Sequence, residues 1–189
     1  MDYISTDKKL RSMLSPDRYR HSKGVEELAV ALALHWGADV QKAKMAGLLH
    51  DLAKNLDRDT CKRIIETMNA DPLIKESCSL WHGPIGAYLL KKEFGIDDDE
   101  IYDAVYYHTI GKLGMSLLTK IIYVADAIEI NRDAYFDWAP DCRKIAMENL
   151  DKAVLEVTDR TILSLIDRKL KINPTCILLH NEALLLTQK

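Results

Sequence analysis

The chain is poor in the residues that break, staple or anchor a fold. It has eight glycines, five prolines and four cysteines in 189 residues. No stretch approaches the roughly 20 apolar residues that span a bilayer, which excludes a membrane helix. The opening MDYISTDKKLRSML lacks the apolar middle of a signal peptide. Cys61, Cys78, Cys142 and Cys176 form no CxxC pair, which excludes a zinc ribbon or a vicinal redox couple. They read as reduced thiols of a cytoplasmic protein. Positive charge is not in excess: 26 Lys and Arg face 29 Asp and Glu, for a net charge of −3. That argues against a polymeric nucleic acid as partner, because binding a phosphate backbone calls for a basic face. A small nucleotide stays compatible, since one metal and a few cations suffice for it. No strand-like alternation, repeat or low-complexity tract occurs.

What is present is helical patterning. Ser15-Pro16 is a start signal, a cap followed by proline at the first helical position. Val25, Leu28, Ala29 and Leu32 then recur at helical spacing until Gly37. Asp39 caps an expected second helix that carries Ala43, Ala46, Leu49 and Leu52 and ends near Asn55. Helices are expected over 58–69, in a short piece from Pro72 to about Leu80, and from Gly83-Pro84 to Gly95. Asp97 is the expected cap of the next, which runs to about Thr109. Its acidic first turn, Asp98-Asp99-Glu100, suits the positive end of the helix dipole and is read that way rather than as a metal site. A helix over 116–130 follows. Residues 131–139, NRDAYFDWA, read as a loop, either a purine-stacking lid or a segment packed by its own aromatics. Pro140 starts one long helix to about Leu170, and Asn173-Pro174 opens a last helix or an extended tail. The expected fold class is all-α: one domain over 1–189, with its core in about 16–131 and the helices of about 140–187 packed on it.

Polar groups fall on apolar faces of these helices. His21 precedes Val25 by four and Leu28 by seven residues. His108 lies seven after Ile101, with Ala104 and Val105 between. Asp126 has Ile122 four before it and Ile130 four after. A carboxylate on a buried stripe is costly unless it is paired or holds a metal. His50 closes the run Leu48-Leu49 with Asp51 beside it, and His82 sits just before a helix start. Gly24 and Gly47 stand three residues from His21 and His50, on the same faces. A mid-helix glycine costs about 1 kcal/mol against alanine, so a close helix crossing or room beside an ion is expected there. One inward histidine is more often a hydrogen-bonded core residue. Several helices each directing a ligand-type group inward is a different observation, and it points to a metal ion. His35, at a helix end, and His180 have no such support and are left outside the site.

The order His21, His50-Asp51, Asp126 resembles the H…HD…D pattern of the HD superfamily of metal-dependent phosphohydrolases. His82 and His108 resemble the longer pattern in which two further histidines hold a second metal. The stretches RYRHSKGVEELAVALA, KAKMAGLLHDLAK, WHGPIGAYLL, YHTIGKLGMSLLTKIIYVADAIEINRD and INPTCILLHN are similar to the bacterial YqeK family, the symmetrical diadenosine tetraphosphate hydrolases. The last of them departs from that family, with Asn173-Pro174 and Leu179-His180-Asn181 where His-Pro and Ala-Arg-Asn are usual.

The resemblance implies an all-α HD domain with a metal site at its centre. His21, His50, Asp51 and Asp126 would be the metal ligands, with His82 and His108 either holding a second ion or binding phosphate as imidazolium. It implies iron, with cobalt or manganese as alternatives. The donor set, imidazole and carboxylate without sulfur, suits these metals better than a closed structural zinc site. Asp51 and Asp126, with His82 and His108, are the candidate catalytic residues, a carboxylate being able to take a proton from the attacking water. Phosphate contacts are expected from Arg18, Lys54 and Arg132, with Thr109 beside His108; His21, His50 and Asp126 would border the substrate too. The substrate implied is diadenosine tetraphosphate and the product ADP. No polymeric nucleic acid or membrane is expected as partner, and a homodimer is compatible with the reading. Two alternatives stay open: another HD-type nucleotide phosphohydrolase, or a metal-dependent nucleotide sensor without turnover.

Overall fold

The computed structural model describes residues 2–188; the first and last residues of the expected 1–189 domain lie outside them. Among the described residues there are eleven α-helices and no strand. They are α1 (Tyr3–Met13), α2 (Pro16–Trp36), α3 (Val40–Leu49), α4 (Arg58–Thr67), α5 (Pro72–Glu76), α6 (His82–Phe94), α7 (Asp99–Tyr107), α8 (Leu117–Ile128), α9 (Ala139–Glu148), α10 (Leu150–Asp167) and α11 (Pro174–Thr187). The all-α expectation holds. None of these helices is long and apolar enough to cross a membrane.

Caps set most of the boundaries. Ser15 accepts from the Arg18 amide and Asp39 from those of Gln41 and Lys42, each worth about 1 kcal/mol. Gly37 and Gly95 end α2 and α6 in the left-handed region, at φ 72° and 67°. α8 is the central element. Ile121, Ile122, Val124, Ala125 and Ile128 are completely buried where α8 meets α2, α3, α7, α9 and α10. Each such aliphatic side chain contributes about 1.5–3 kcal/mol on burial. α2 and α3 pack closely. A β-carbon at Gly47 would lie 2.9 Å from the Glu26 α-carbon, so Gly47 marks a close helix crossing.

Several boundaries differ from expectation. α1 was not foreseen; its Tyr3 hydroxyl donates to Glu26 on α2 at 2.5 Å. α3 stops at Leu49 instead of running to Asn55, and residues 50–56 continue as tight turns, with Leu52 N–Leu49 O and Lys54 N–Asp51 O bonds of 3.1 and 2.9 Å. Asp98, not Asp97, caps α7: it accepts from the Glu100 and Ile101 amides, while Asp97 pairs with Lys91. The expected long helix from Pro140 is two helices. Asn149 is extended at φ −156° and caps α10 through the Lys152 amide. The 131–139 segment begins as a 3-10 helix, Ile130–Ala134, and Phe136 stacks on Trp138 with ring centres 5.5 Å apart. Asn173-Pro174 opens a helix, α11, not an extended tail.

Candidate metal centre

Five segments aim polar side chains at one point inside the bundle. The second turn of α2 carries His21. The turn after α3 carries His50 and Asp51, and its departure from helical geometry lets two adjacent residues face one centre. The start of α6 supplies His82, the end of α7 His108, and the last turn of α8 Asp126. His50 is fully buried, and Asp51, His108, His21 and His82 are nearly so. His21 Nε2 lies 2.9 Å from Asp126 Oδ1 and 3.2 Å from His50 Nε2. His50 Nε2 is 3.6 Å from both Asp51 Oδ2 and Asp126 Oδ1. On the other side of the same carboxylate, Asp51 Oδ1 is 3.3 Å from His82 Nε2 and 3.6 Å from His108 Nε2. His50 is shared by two overlapping ligand sets: His21, His50 and Asp126, and His50, Asp51 and His108.

Hydrogen bonds on the far side of three rings hold their orientation. His50 Nδ1–H donates to the Gly47 carbonyl at 2.8 Å and His108 Nδ1–H to the Val105 carbonyl at 2.7 Å. His21 Nδ1–H donates to Glu129 Oε1 at 2.9 Å. A carbonyl oxygen can only accept, so in neutral His50 and His108 the proton sits on Nδ1 and the Nε2 lone pair points inward. His21 instead has a carboxylate at each nitrogen, Glu129 at Nδ1 and Asp126 at Nε2. That arrangement favours its imidazolium, and a cation would displace its Nε2 proton. The Nε2 atoms of His21 and His50 lie 3.2 Å apart, and Asp51 Oδ1 is buried without a hydrogen-bond donor. The inward lone pairs of His50 and His108 beside a buried carboxylate oxygen without a donor are an unstable arrangement unless a cation lies among them. The residues therefore fit a divalent metal.

The charges point the same way. Burial would push the Asp51 carboxyl up, but positive charge placed where His50, His108 and His82 converge outweighs it and holds it well below the usual range. Asp126 behaves alike: burial is outweighed by His21, His50 and Arg132. Burial lowers His50. Burial and the neighbouring His108 push His82 down to about 3, so it is neutral near pH 7. His21 is also pulled down by burial, but Asp126 and Glu129 outweigh that and raise it.

The expected phosphate-binding residues have varied surroundings. Arg18 Nη1 donates to Asp51 Oδ2 at 2.7 Å and Arg132 Nη2 to Asp126 Oδ1 at 3.0 Å. Lys54 Nζ stands 3.1 Å from His82 Nε2, its pKa lowered by burial. All three border the cluster and, with Ser15, Asn55 and Tyr135, line a cleft of about 920 Å3 at its mouth. Thr109 is half-buried and, among the described residues, no hydrogen bond or ion pair joins it to the cluster. Tyr135 is 78% exposed at the cleft rim. His35 packs on Trp36 and His180 on Asp159, both away from the centre.

Glu129 escaped the sequence reading. It is 1% exposed and holds the outer nitrogen of His21. A β-carbon at Gly24 would lie 2.1 Å from its Oε2. The signal was Gly24: a helix gap on the histidine's own face has to be filled by something.

Residues 18–131 match the HD domain family. The chain is 40% identical over 174 residues to the symmetrical bis(5'-nucleosyl)-tetraphosphatase of Bacillus subtilis (strain 168), covering 91% of this chain and 92% of that protein. The protein of the same name from Halalkalibacterium halodurans is 38% identical over 177 residues, with 93% of each chain covered. A crystal structure from Clostridium acetobutylicum, described as a predicted HD superfamily hydrolase involved in NAD metabolism, has a TM-score of 0.91 at 37% identity and covers 100% of this chain and 99% of that one. The resemblance read from the motifs thus extends along the whole chain, which belongs to the HD domain family and, within it, to the group of symmetrical bis(5'-nucleosyl)-tetraphosphatases.

Proposed function

We propose that this protein hydrolyses diadenosine tetraphosphate symmetrically to two molecules of ADP, using a divalent metal held by His21, His50, Asp51 and Asp126. The observation that carries the metal is the pair of inward Nε2 lone pairs of His50 and His108 beside the undonated Asp51 Oδ1. The substrate rests on similarity to the Bacillus and Halalkalibacterium proteins. His82 and His108, with Asp51 Oδ1, would hold a second ion. The neutrality of His82 near pH 7 supports that role over an imidazolium binding phosphate. Iron is the metal proposed, with cobalt and manganese as substitutes, because the donors are nitrogen and oxygen without sulfur. Four free thiols, three of them buried, suit a reducing cytoplasm.

When bound, a divalent cation supplies Lewis acidity toward a phosphoryl oxygen and toward the attacking water. The chain's own residues do the rest. Asp51 and Asp126, held ionised by their neighbours, can take the water's proton. Arg18 and Arg132 stand at the mouth with planar guanidinium groups suited to bidentate phosphate contact. Lys54 adds a third cation there. The test is chromatography of the products formed by protein loaded with iron, cobalt or manganese. ADP alone is expected. ATP plus AMP would overturn the symmetrical cut, and tight ADP binding without turnover in any of the three metals would make the protein a sensor.

A further inference from the structure

We propose that Glu129, Asn131 and Gly24 form a device that holds a proton on His21 Nδ1, fixes the ring, and so leaves Nε2 as the atom a cation takes. This rests on the metal reading above. Glu129 is a positioning residue: it touches His21, not the reacting atoms.

The geometry is specific. Glu129 follows Asp126 by three residues and ends α8, with φ −58° and ψ 159°. One helix end therefore presents two carboxylates to one imidazole, Asp126 Oδ1 to Nε2 and Glu129 Oε1 to Nδ1, each at 2.9 Å. The second oxygen of Glu129 is committed as well: Oε2 accepts from the Asn131 backbone N–H and from Asn131 Nδ2–H, both at 2.7 Å. The group cannot rotate away without breaking these bonds. Its space exists because residue 24 has no side chain. A β-carbon there would sit 2.1 Å from Oε2 and 2.9 Å from Asn131 Nδ2. A mid-helix glycine, a buried acid and an asparagine at the next turn thus serve one end, holding the Nδ1 proton of His21 on the side away from the cluster.

An amide at 129 separates this role from packing. Glu129→Gln keeps the shape but offers one acceptor and one donor edge to three N–H donors. If its oxygen turns to Asn131, its NH2 faces His21 Nδ1, which must then accept. The neutral ring then keeps its proton on Nε2, facing Asp126, and offers a cation no lone pair there. If its oxygen turns to His21, its NH2 confronts the two Asn131 donors. Adding Asn131→Asp gives the amide NH2 an acceptor and lets the oxygen return to His21.

The experiment compares wild type, Glu129→Gln and Glu129→Gln/Asn131→Asp. Co(II) affinity is measured by chelator competition, and histidine tautomers are read by nitrogen NMR in metal-free protein, with circular dichroism reporting folding. Loss of an outer hydrogen-bond partner typically weakens a metal site about 10–100-fold. That loss is expected for the single variant, with loss of the His21 Nδ1–H signal. The double variant, which removes one of the two opposing donors at 131, should regain part of the affinity and the Nδ1–H signal. Wild-type affinity together with an unchanged tautomer in Glu129→Gln would overturn the proposal. If the single variant does not fold, the wild-type spectrum decides: a proton on Nδ1 of metal-free His21 is expected, and a bare Nδ1 overturns the proposal. A wild type that binds no Co(II) would instead overturn the metal reading on which it rests.

Discussion

Acid should destabilise the metal-free protein through one histidine in particular. His82 has an ordinary value of 6.5 and is pushed to about 3 by burial and by His108. Between those values the unfolded chain binds a proton at this residue and the folded chain does not. Stability therefore falls as pH drops below about 6.5. Lowering the pH from about 7 to about 5 costs roughly 2 kcal/mol at His82 alone, from one pKa unit being about 1.4 kcal/mol. His50, also lowered by burial, acts in the same direction. His21, raised overall, acts oppositely: its contribution is present below its ordinary value and is lost as pH rises through the raised one. Comparison with His82→Gln cancels both, because the variant keeps them and removes only the titration at 82. The assay is urea unfolding in the presence of chelator at the two pH values. Wild type should lose about 2 kcal/mol more than the variant, or about 1 M in urea midpoint for a typical slope. Equal losses would show that His82 titrates normally in the folded protein and that the cluster is wetter than described.

Three further outcomes are expected. Gly47→Ala puts a β-carbon 2.9 Å from the Glu26 α-carbon and 3.1 Å from its nitrogen; backbone cannot yield as a side-chain tip can, so a cost of about 1–3 kcal/mol should lower the melting temperature. Asp126→Asn and His50→Ala should each reduce hydrolysis at least about 100-fold while leaving the far-ultraviolet dichroism unchanged; wild-type rates in either would remove these residues from the site. Arg18→Ala deletes the 2.7 Å contact to Asp51 and a candidate phosphate donor, and charge-assisted bonds of about 1.5–3 kcal/mol translate to a fall in kcat/KM of roughly 10-fold or more, visible in steady-state kinetics.

Much of this architecture was readable because helices announce themselves through period and caps. Val25, Ala29 and Leu32 are all buried, as their spacing required, and His21, His108 and Asp126 point inward from the same logic. What escaped was set by contacts between distant residues or by single polar groups. α1 is mostly polar and is held by Tyr3 on Glu26, a pairing that spacing does not reveal. Asn149 looked like one more residue in a helix until its side chain was seen capping the next one. Glu129, read in sequence, is a polar residue near a helix end. Only the fold shows that it fills the gap at Gly24 and holds His21. Arg18 and Arg132 carry charges suited to phosphate, but their bonds to Asp51 and Asp126 could be found only in three dimensions.

The most direct test of the converging donors is anomalous diffraction from crystals grown with manganese or iron. The account predicts a peak about 2.0–2.3 Å from His21 Nε2, His50 Nε2 and one oxygen each of Asp51 and Asp126. A metal found only on surface carboxylates such as Asp97 or Asp99, with the cluster empty under saturating ion, would contradict it.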